Sequence, residues 1–177
     1  MFKLDPKYHQ FIDDICDSSE IAWKYPGKES YADTQCMYHL LVSRDCANPT
    51  IVSELFGPFM QIFNDICKTN NIHAETLFGA TLHATSGSST DHQKFHIDFP
   101  FKHNVMIIYM NDDFDNGATL ISDDLDNNIN NILDDDILYT SVKAKKYHAY
   151  MFDGARYHAG QYPGPGQRRV VCIFTFI

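Results

Sequence analysis

The sequence predicts an α+β fold, mainly β: an antiparallel β-sandwich or jelly roll with N-terminal helices packed on one face. Three observations carry that expectation. Apolar residues recur at helical spacing in two stretches before residue 73. After residue 73 the chain breaks into about eight short segments rich in aromatic and β-branched residues. Turn formers separate those segments, among them Ser86-Gly87-Ser88, Asn116-Gly117, Asp153-Gly154 and Pro163-Gly164-Pro165-Gly166. Helices followed by a run of short strands favour two layers around one core.

The elements follow in order. Phe11, Ile12, Ile15 and Cys16 predict a first helix over residues 6–19, with Pro6 acceptable in its first turn. Pro26-Gly27 marks a loop, and a strand is expected around 34–42. Ile51, Leu55, Phe59, Ile62, Phe63 and Ile66 predict a second helical region ending near Thr69, with Thr50 as its N-cap. Gly57-Pro58 should kink or divide it. Strands are expected over 74–84, 94–99, 105–110, 118–122, 137–142, 148–152, 157–160 and 168–177. The Asp/Asn-rich stretch 123–136 lacks the mid-loop Gly and terminal Glu of a calcium loop. It reads as a solvated excursion, with Ile129, Ile132 and Leu133 touching the barrel.

At 177 residues the chain suits one domain, with helical support over 1–72 and a β core over 73–177. A formal net charge of −9 argues against binding a nucleic-acid backbone. Five scattered cysteines (Cys16, Cys36, Cys46, Cys67, Cys172) contain no C-x-x-C pair and read as reduced, buried thiols. The amphipathic, acidic N-terminus is no signal sequence, and no apolar stretch reaches membrane-span length. A cytoplasmic protein is expected.

His96-Ile97-Asp98 is the most informative local feature. Residues i and i+2 of an extended segment share a face, so His96 and Asp98 can meet one metal ion. His158, from a distant segment, would complete a two-His-one-carboxylate triad of the kind that leaves open positions on non-haem Fe(II). Arg168 and Arg169 open the C-terminal strand, and an inward-facing arginine there needs an anionic partner. Alternation alone leaves open which of the two faces in. The other histidines without a partner at ligand spacing (His9, His39, His73, His92, His103 and His148) are expected to be surface or hydrogen-bonded residues.

From Thr81 onward the chain resembles the Fe(II)/2-oxoglutarate-dependent dioxygenases, and among them the prolyl 4-hydroxylase-like group. His96, Asp98 and His158 match that family's iron ligands. Ile107-Ile108-Tyr109-Met110-Asn111 followed by Asn116-Gly117-Ala118-Thr119 is similar to its "liYLN…GGxT" signature. Ala149-Tyr150-Met151-Phe152-Asp153 is similar to the strand before the distal histidine, and Gly166-Gln167-Arg168 matches "G-x-R". Val170 departs from a frequent serine, and Asn116 from a first glycine.

The resemblance implies a double-stranded β-helix (jelly roll) and the cofactors Fe(II), 2-oxoglutarate and O2, with ascorbate as an accessory reductant. It assigns Arg168 to the C5 carboxylate of 2-oxoglutarate, with Thr119 and Tyr109 as further co-substrate contacts; Arg169 would then point outward into solvent. The implied reaction converts 2-oxoglutarate to succinate and CO2 and hydroxylates an unactivated C–H bond, prolyl in a peptide or protein first. A free amino acid or small metabolite, and a non-catalytic jelly-roll module, stand as alternatives; nucleic-acid demethylation is disfavoured by the charge. The stretch 85–90 is a lid candidate, and the loop 25–31 a second border of the cleft.

Overall fold

The structure, a computed structural model, describes residues 1–25, 36–43, 48–87, 91–123 and 138–177. Most of the 123–136 excursion, with Ile129, Ile132 and Leu133, lies outside them, as do Cys46, most of the loop 25–31 and the end of the 85–90 stretch.

Two antiparallel sheets make up the β core. Six strands form the larger sheet: β1 (Phe2–Lys3), β2 (Cys36–Leu40), β3 (Leu77–Ser86), β4 (Asn104–Tyr109), β7 (His148–Asp153) and β9 (Arg168–Phe176). Their spatial order is β1-β7-β4-β9-β3-β2. The smaller sheet holds β5 (Thr119–Ser122), β6 (Tyr139–Val142) and β8 (His158–Gly160), in the order β6-β5-β8. The expected mainly β, antiparallel class is therefore observed. Two strands of the larger sheet come from the N-terminal 72 residues, and β1, pairing with β7, was not foreseen.

The helices begin where local chemistry permits. Asp5 accepts the Lys7 N–H at 3.0 Å and opens a 3-10 turn over Pro6–Tyr8, which runs into α1 (His9–Asp17). α2 spans Phe56–Thr69 without the expected kink. Thr50 is no cap: α2 begins after Leu55, and Ile51 is bridged to Val42. Pro58 instead falls in the first turn, where its missing N–H has no intrahelical partner to lose.

Both faces of the larger sheet are buried. On one face Leu82, Met106, Ile108, Val170, Cys172, Phe174 and Phe176 pack against Ile12 and Ile15 of α1 and Phe59, Ile62, Phe63 and Ile66 of α2. The Phe63 ring centre lies 4.7 Å from that of Phe174, tilted, and 5.0 Å from that of Phe176, edge to face. On the other face Val105, Ile107, Tyr109, Phe152 and Val171 meet Ile121 and Val142 of the smaller sheet. Cys36, Cys67 and Cys172 are buried in the apolar interior. No helix among the described residues is long and apolar enough to cross a membrane.

Residues 94–99 do not form the expected ladder strand. The chain touches β8 through the bridges His92↔Gln161 and His96↔His158 and then leaves the sheet. Only Phe95 joins the core, under Leu120 and Ala159, while Ile97 and Phe99 line a cleft.

The sheet–helix layer gives the first prediction. Phe63→Ala should lower unfolding free energy by about 3–5 kcal/mol, measured by urea denaturation, because a fully buried ring between two Phe partners is replaced by a cavity.

Candidate metal and anion site

The geometry of the site starts from two backbone hydrogen bonds. The His96 N–H donates to the His158 carbonyl at 3.0 Å, and the His158 N–H returns one to the His96 carbonyl at 2.9 Å. That reciprocal pair sets the two imidazoles side by side, ring centres 4.7 Å apart. Asp98 approaches both, with its carboxylate 3.7 Å from His96 Nε2 and 3.7 Å from His158 Nε2. One ligand atom from each residue fits within a 4.8 Å span.

Tautomers follow from the neighbours. His96 Nδ1 lies 3.0 Å from the Lys94 carbonyl, and His158 Nδ1 lies 3.1 Å from the Arg156 carbonyl. A carbonyl only accepts, so both Nδ1 atoms carry a proton and both Nε2 atoms are turned toward Asp98. Burial pushes the His158 pKa down to about 4, with His96 adding to the effect and Asp98 opposing it. The 3.7 Å approach to Asp98 is therefore a neutral imidazole beside a carboxylate, not an ion pair. Two imidazole Nε2 atoms and one carboxylate oxygen converging in this way fit a divalent transition metal with open coordination positions.

A single small cavity is lined by all three of these residues and by Thr85, Gln93, Thr119, Gly160, Arg169 and Ile173, among others. The arginine facing it is Arg169, which corrects the expectation for Arg168. Arg168 is exposed and lies on the helix-side face, donating through Nη2 to the Cys16 carbonyl at the end of α1. Alternation correctly grouped Arg168 with Val170, Cys172 and Phe174, but that face packs on the helices rather than into the barrel. Both faces of β9 are apolar, so nothing in its pattern marks the inner one.

Arg169 is 4% exposed and donates through Nη2 to Thr119 Oγ1 at 3.0 Å. Its guanidinium lies 5.7 Å from the Tyr109 ring centre, and the Tyr109 hydroxyl is 2.8 Å from the same Thr119 Oγ1. Burial lowers the Arg169 pKa and raises that of Tyr109. Tyr109 and Thr119, both expected near the anion, thus stand beside an arginine, though not the one expected. Arg169 Nε is buried with no hydrogen-bond partner, and no carboxylate among the described residues pairs with the guanidinium. A buried cation left this way fits an incoming anion.

Register is fixed next door. The β4–β9 ladder ends with the Met110 N–H on the Val170 carbonyl, and the Asn111 side chain supplies the next rung. Asn111 Nδ2 donates to the Arg168 carbonyl at 2.7 Å, and Asn111 Oδ1 accepts the Val170 N–H at 2.8 Å. The carboxamide thereby brackets Arg169.

A second, wider cleft of about 340 Å³ adjoins the small cavity and shares His96, Asp98 and Ile173 with it. Its walls carry Val42, Phe78, Ile97 and Phe99, with Ser43, Thr81 and Thr175 as polar groups.

No family model matches the chain, and no curated protein matches it. Solved structures do. An oxidoreductase of the 2OG-Fe(II) oxygenase family from Burkholderia pseudomallei is similar with a TM-score of 0.71 at 12% identity, over 97% of this chain and 79% of that one. A Pseudomonas putida prolyl-4-hydroxylase gives a TM-score of 0.57 at 11% identity, over 99% and 89%. HygX from Streptomyces hygroscopicus, solved with nickel, 2-oxoglutarate and hygromycin B bound, gives 0.61 at 7% identity, over 99% and 80%. At these identities the likeness establishes a shared fold, that of the 2OG-Fe(II) oxygenases.

His158 generates a pH prediction for the metal-free protein. Its folded pKa lies below the unfolded value of 6.5, so the unfolded chain binds the extra proton between those values. Stability should therefore fall as pH drops from 6.5 towards 4, by up to about 3 kcal/mol from this residue. Denaturation of wild type and His158→Gln across that window should show a smaller loss in the variant.

Proposed function

We propose that the chain is an Fe(II)- and 2-oxoglutarate-dependent dioxygenase that hydroxylates an unactivated C–H bond. The carrying observation is Arg169, buried with an unpartnered Nε, in the same small cavity as His96, Asp98 and His158. A structural metal site has no use for a buried cation beside it. A co-substrate with a metal-chelating 2-oxo acid at one end and a carboxylate at the other uses both.

His96, Asp98 and His158 would hold the iron, which supplies O2 activation coupled to oxidative decarboxylation of the co-substrate. The remaining work belongs to the protein. Lys94 and Arg156 carbonyls hold the imidazoles in the ligating tautomer. β8 sets the reach: Ile121 pairs with His158 and Thr119 with Gly160, so the Thr119–Arg169 contact sits two residues along from the metal ligand. Two strand residues span roughly 7 Å, a length suited to a five-carbon diacid. Arg169, with Thr119 and Tyr109 beside it, would receive the distal carboxylate. The apolar walls of Val105, Ile107 and Ile173 exclude water from the cavity between.

The substrate would enter by the wider cleft, and a peptidyl residue such as proline is the reading favoured here. Two features support it. Among the described lining residues the cleft has no Lys or Arg to hold the carboxylate of a free amino acid. Its Phe78, Phe99 and Ile97 walls suit an apolar ring. A small-molecule substrate is the second reading, favoured by the likeness to the hygromycin B-bound structure.

Anaerobic addition of Fe(II) and 2-oxoglutarate should give a weak visible charge-transfer band, with succinate formed in air. Neither signal in wild type would leave a non-catalytic module as the better description. Proline peptides and free amino acids, compared by mass spectrometry for products heavier by one oxygen, separate the two substrate readings. His158→Ala should abolish metal-dependent turnover. Arg169→Ala should weaken 2-oxoglutarate use roughly 100-fold or more, while Arg168→Ala should leave it within about 2-fold because an exposed residue on the opposite face is lost.

A further inference from the structure

Gln93 has no role in the contacts described so far. Its backbone N–H donates to the Gly160 carbonyl at 2.9 Å, which lays the segment before His96 along β8. The Gln93 side chain lines the cavity shared by His96, Asp98, His158 and Arg169. Among the described residues its carboxamide has no hydrogen-bond partner.

Gly160 explains where that carboxamide is aimed. It lies two residues beyond His158 on β8, so both face inward, and it pairs with Thr119 across the sheet. A Cβ added at Gly160 would meet Gln93 Oε1 at 3.0 Å and Arg169 Nη1 at 3.5 Å. An amide and a guanidinium therefore converge on one spot, and the backbone there carries no side chain.

We infer that Gln93 and Gly160 determine co-substrate specificity: the Gln93 carboxamide donates a second hydrogen bond to the distal carboxylate held by Arg169, and Gly160 keeps that berth open. This rests on the 2-oxoglutarate reading proposed above. The amide is isosteric in its two orientations, so it can turn its oxygen to the guanidinium when the berth is empty and its NH2 to an anion when it is filled. Gln93 adds directionality that a lone cation lacks, and a 2-oxo acid without the distal carboxylate gains nothing from it.

The test is calorimetric titration of 2-oxoglutarate and of pyruvate into Mn(II)-loaded protein, with Mn(II) affinity and thermal stability recorded for every variant. Gln93→Leu should weaken 2-oxoglutarate about 10- to 100-fold, the range for a hydrogen bond to a charged group. Pyruvate and Mn(II) affinities should not move. Gln93→Glu should weaken 2-oxoglutarate further, by setting a carboxylate against a carboxylate, and Gly160→Ala should weaken it by filling the berth. Should Gly160→Ala fail to fold, the Gln93 variants still decide. Undiminished 2-oxoglutarate affinity in Gln93→Leu overturns the assignment while leaving the dioxygenase reading intact. A parallel loss of pyruvate and Mn(II) affinity overturns it too, by showing a merely structural role. A wild-type protein that binds Mn(II) but neither 2-oxo acid overturns both readings.

Discussion

The reciprocal backbone hydrogen bonds between His96 and His158 are the constraint on which the site depends. The two histidines come from segments more than sixty residues apart, and side-chain packing alone does not fix two imidazoles to ligand precision. A pair of main-chain bonds does, since each fixes the position of one residue relative to the other. Once the rings are set, the Lys94 and Arg156 carbonyls choose the tautomer. Asp98, two residues beyond the bridge, reaches the same point.

The electrostatics follow from the layers. With helices on one face and the smaller sheet on the other, β9 is buried from Arg169 to Cys172, and a cation on its inner face has no solvent to neutralise it. Thr119 and the Tyr109 ring relieve Arg169 only in part, and its Nε stays unpartnered. Nearby, the same dryness keeps His158 neutral and able to ligate. Burial thus acts in opposite senses at the two ends of the cavity. It removes a proton from His158 and leaves unmet charge at Arg169.

Much of this was legible in the chain. The turn clusters gave the strand divisions because Gly, Pro and Asn break ladders for local reasons. H-x-D with a distal histidine was legible because the residue types carry their chemistry wherever they fold. Three things were not. The start of α2 is hidden because Pro58 signals either a kink or a first turn, and the Val42↔Ile51 bridge ahead of the helix decides between them. The choice between Arg168 and Arg169 was hidden because parity on a strand tells which residues share a face, not which face is inside. Gln93 was silent because one polar residue three positions before a histidine has no pattern; only its approach to Gly160 gives it direction.

The Asn111 carboxamide has a consequence for how the sequence can change. By copying a peptide group and closing on both neighbours of Arg169, it sets the phase of the last strand independently of the turn that precedes it. A one-residue slip there would exchange the two arginines and turn the barrel's charge inside out. With the phase locked by a side chain outside the strand, the identity of the inward arginine does not depend on the turn at 164–167 alone.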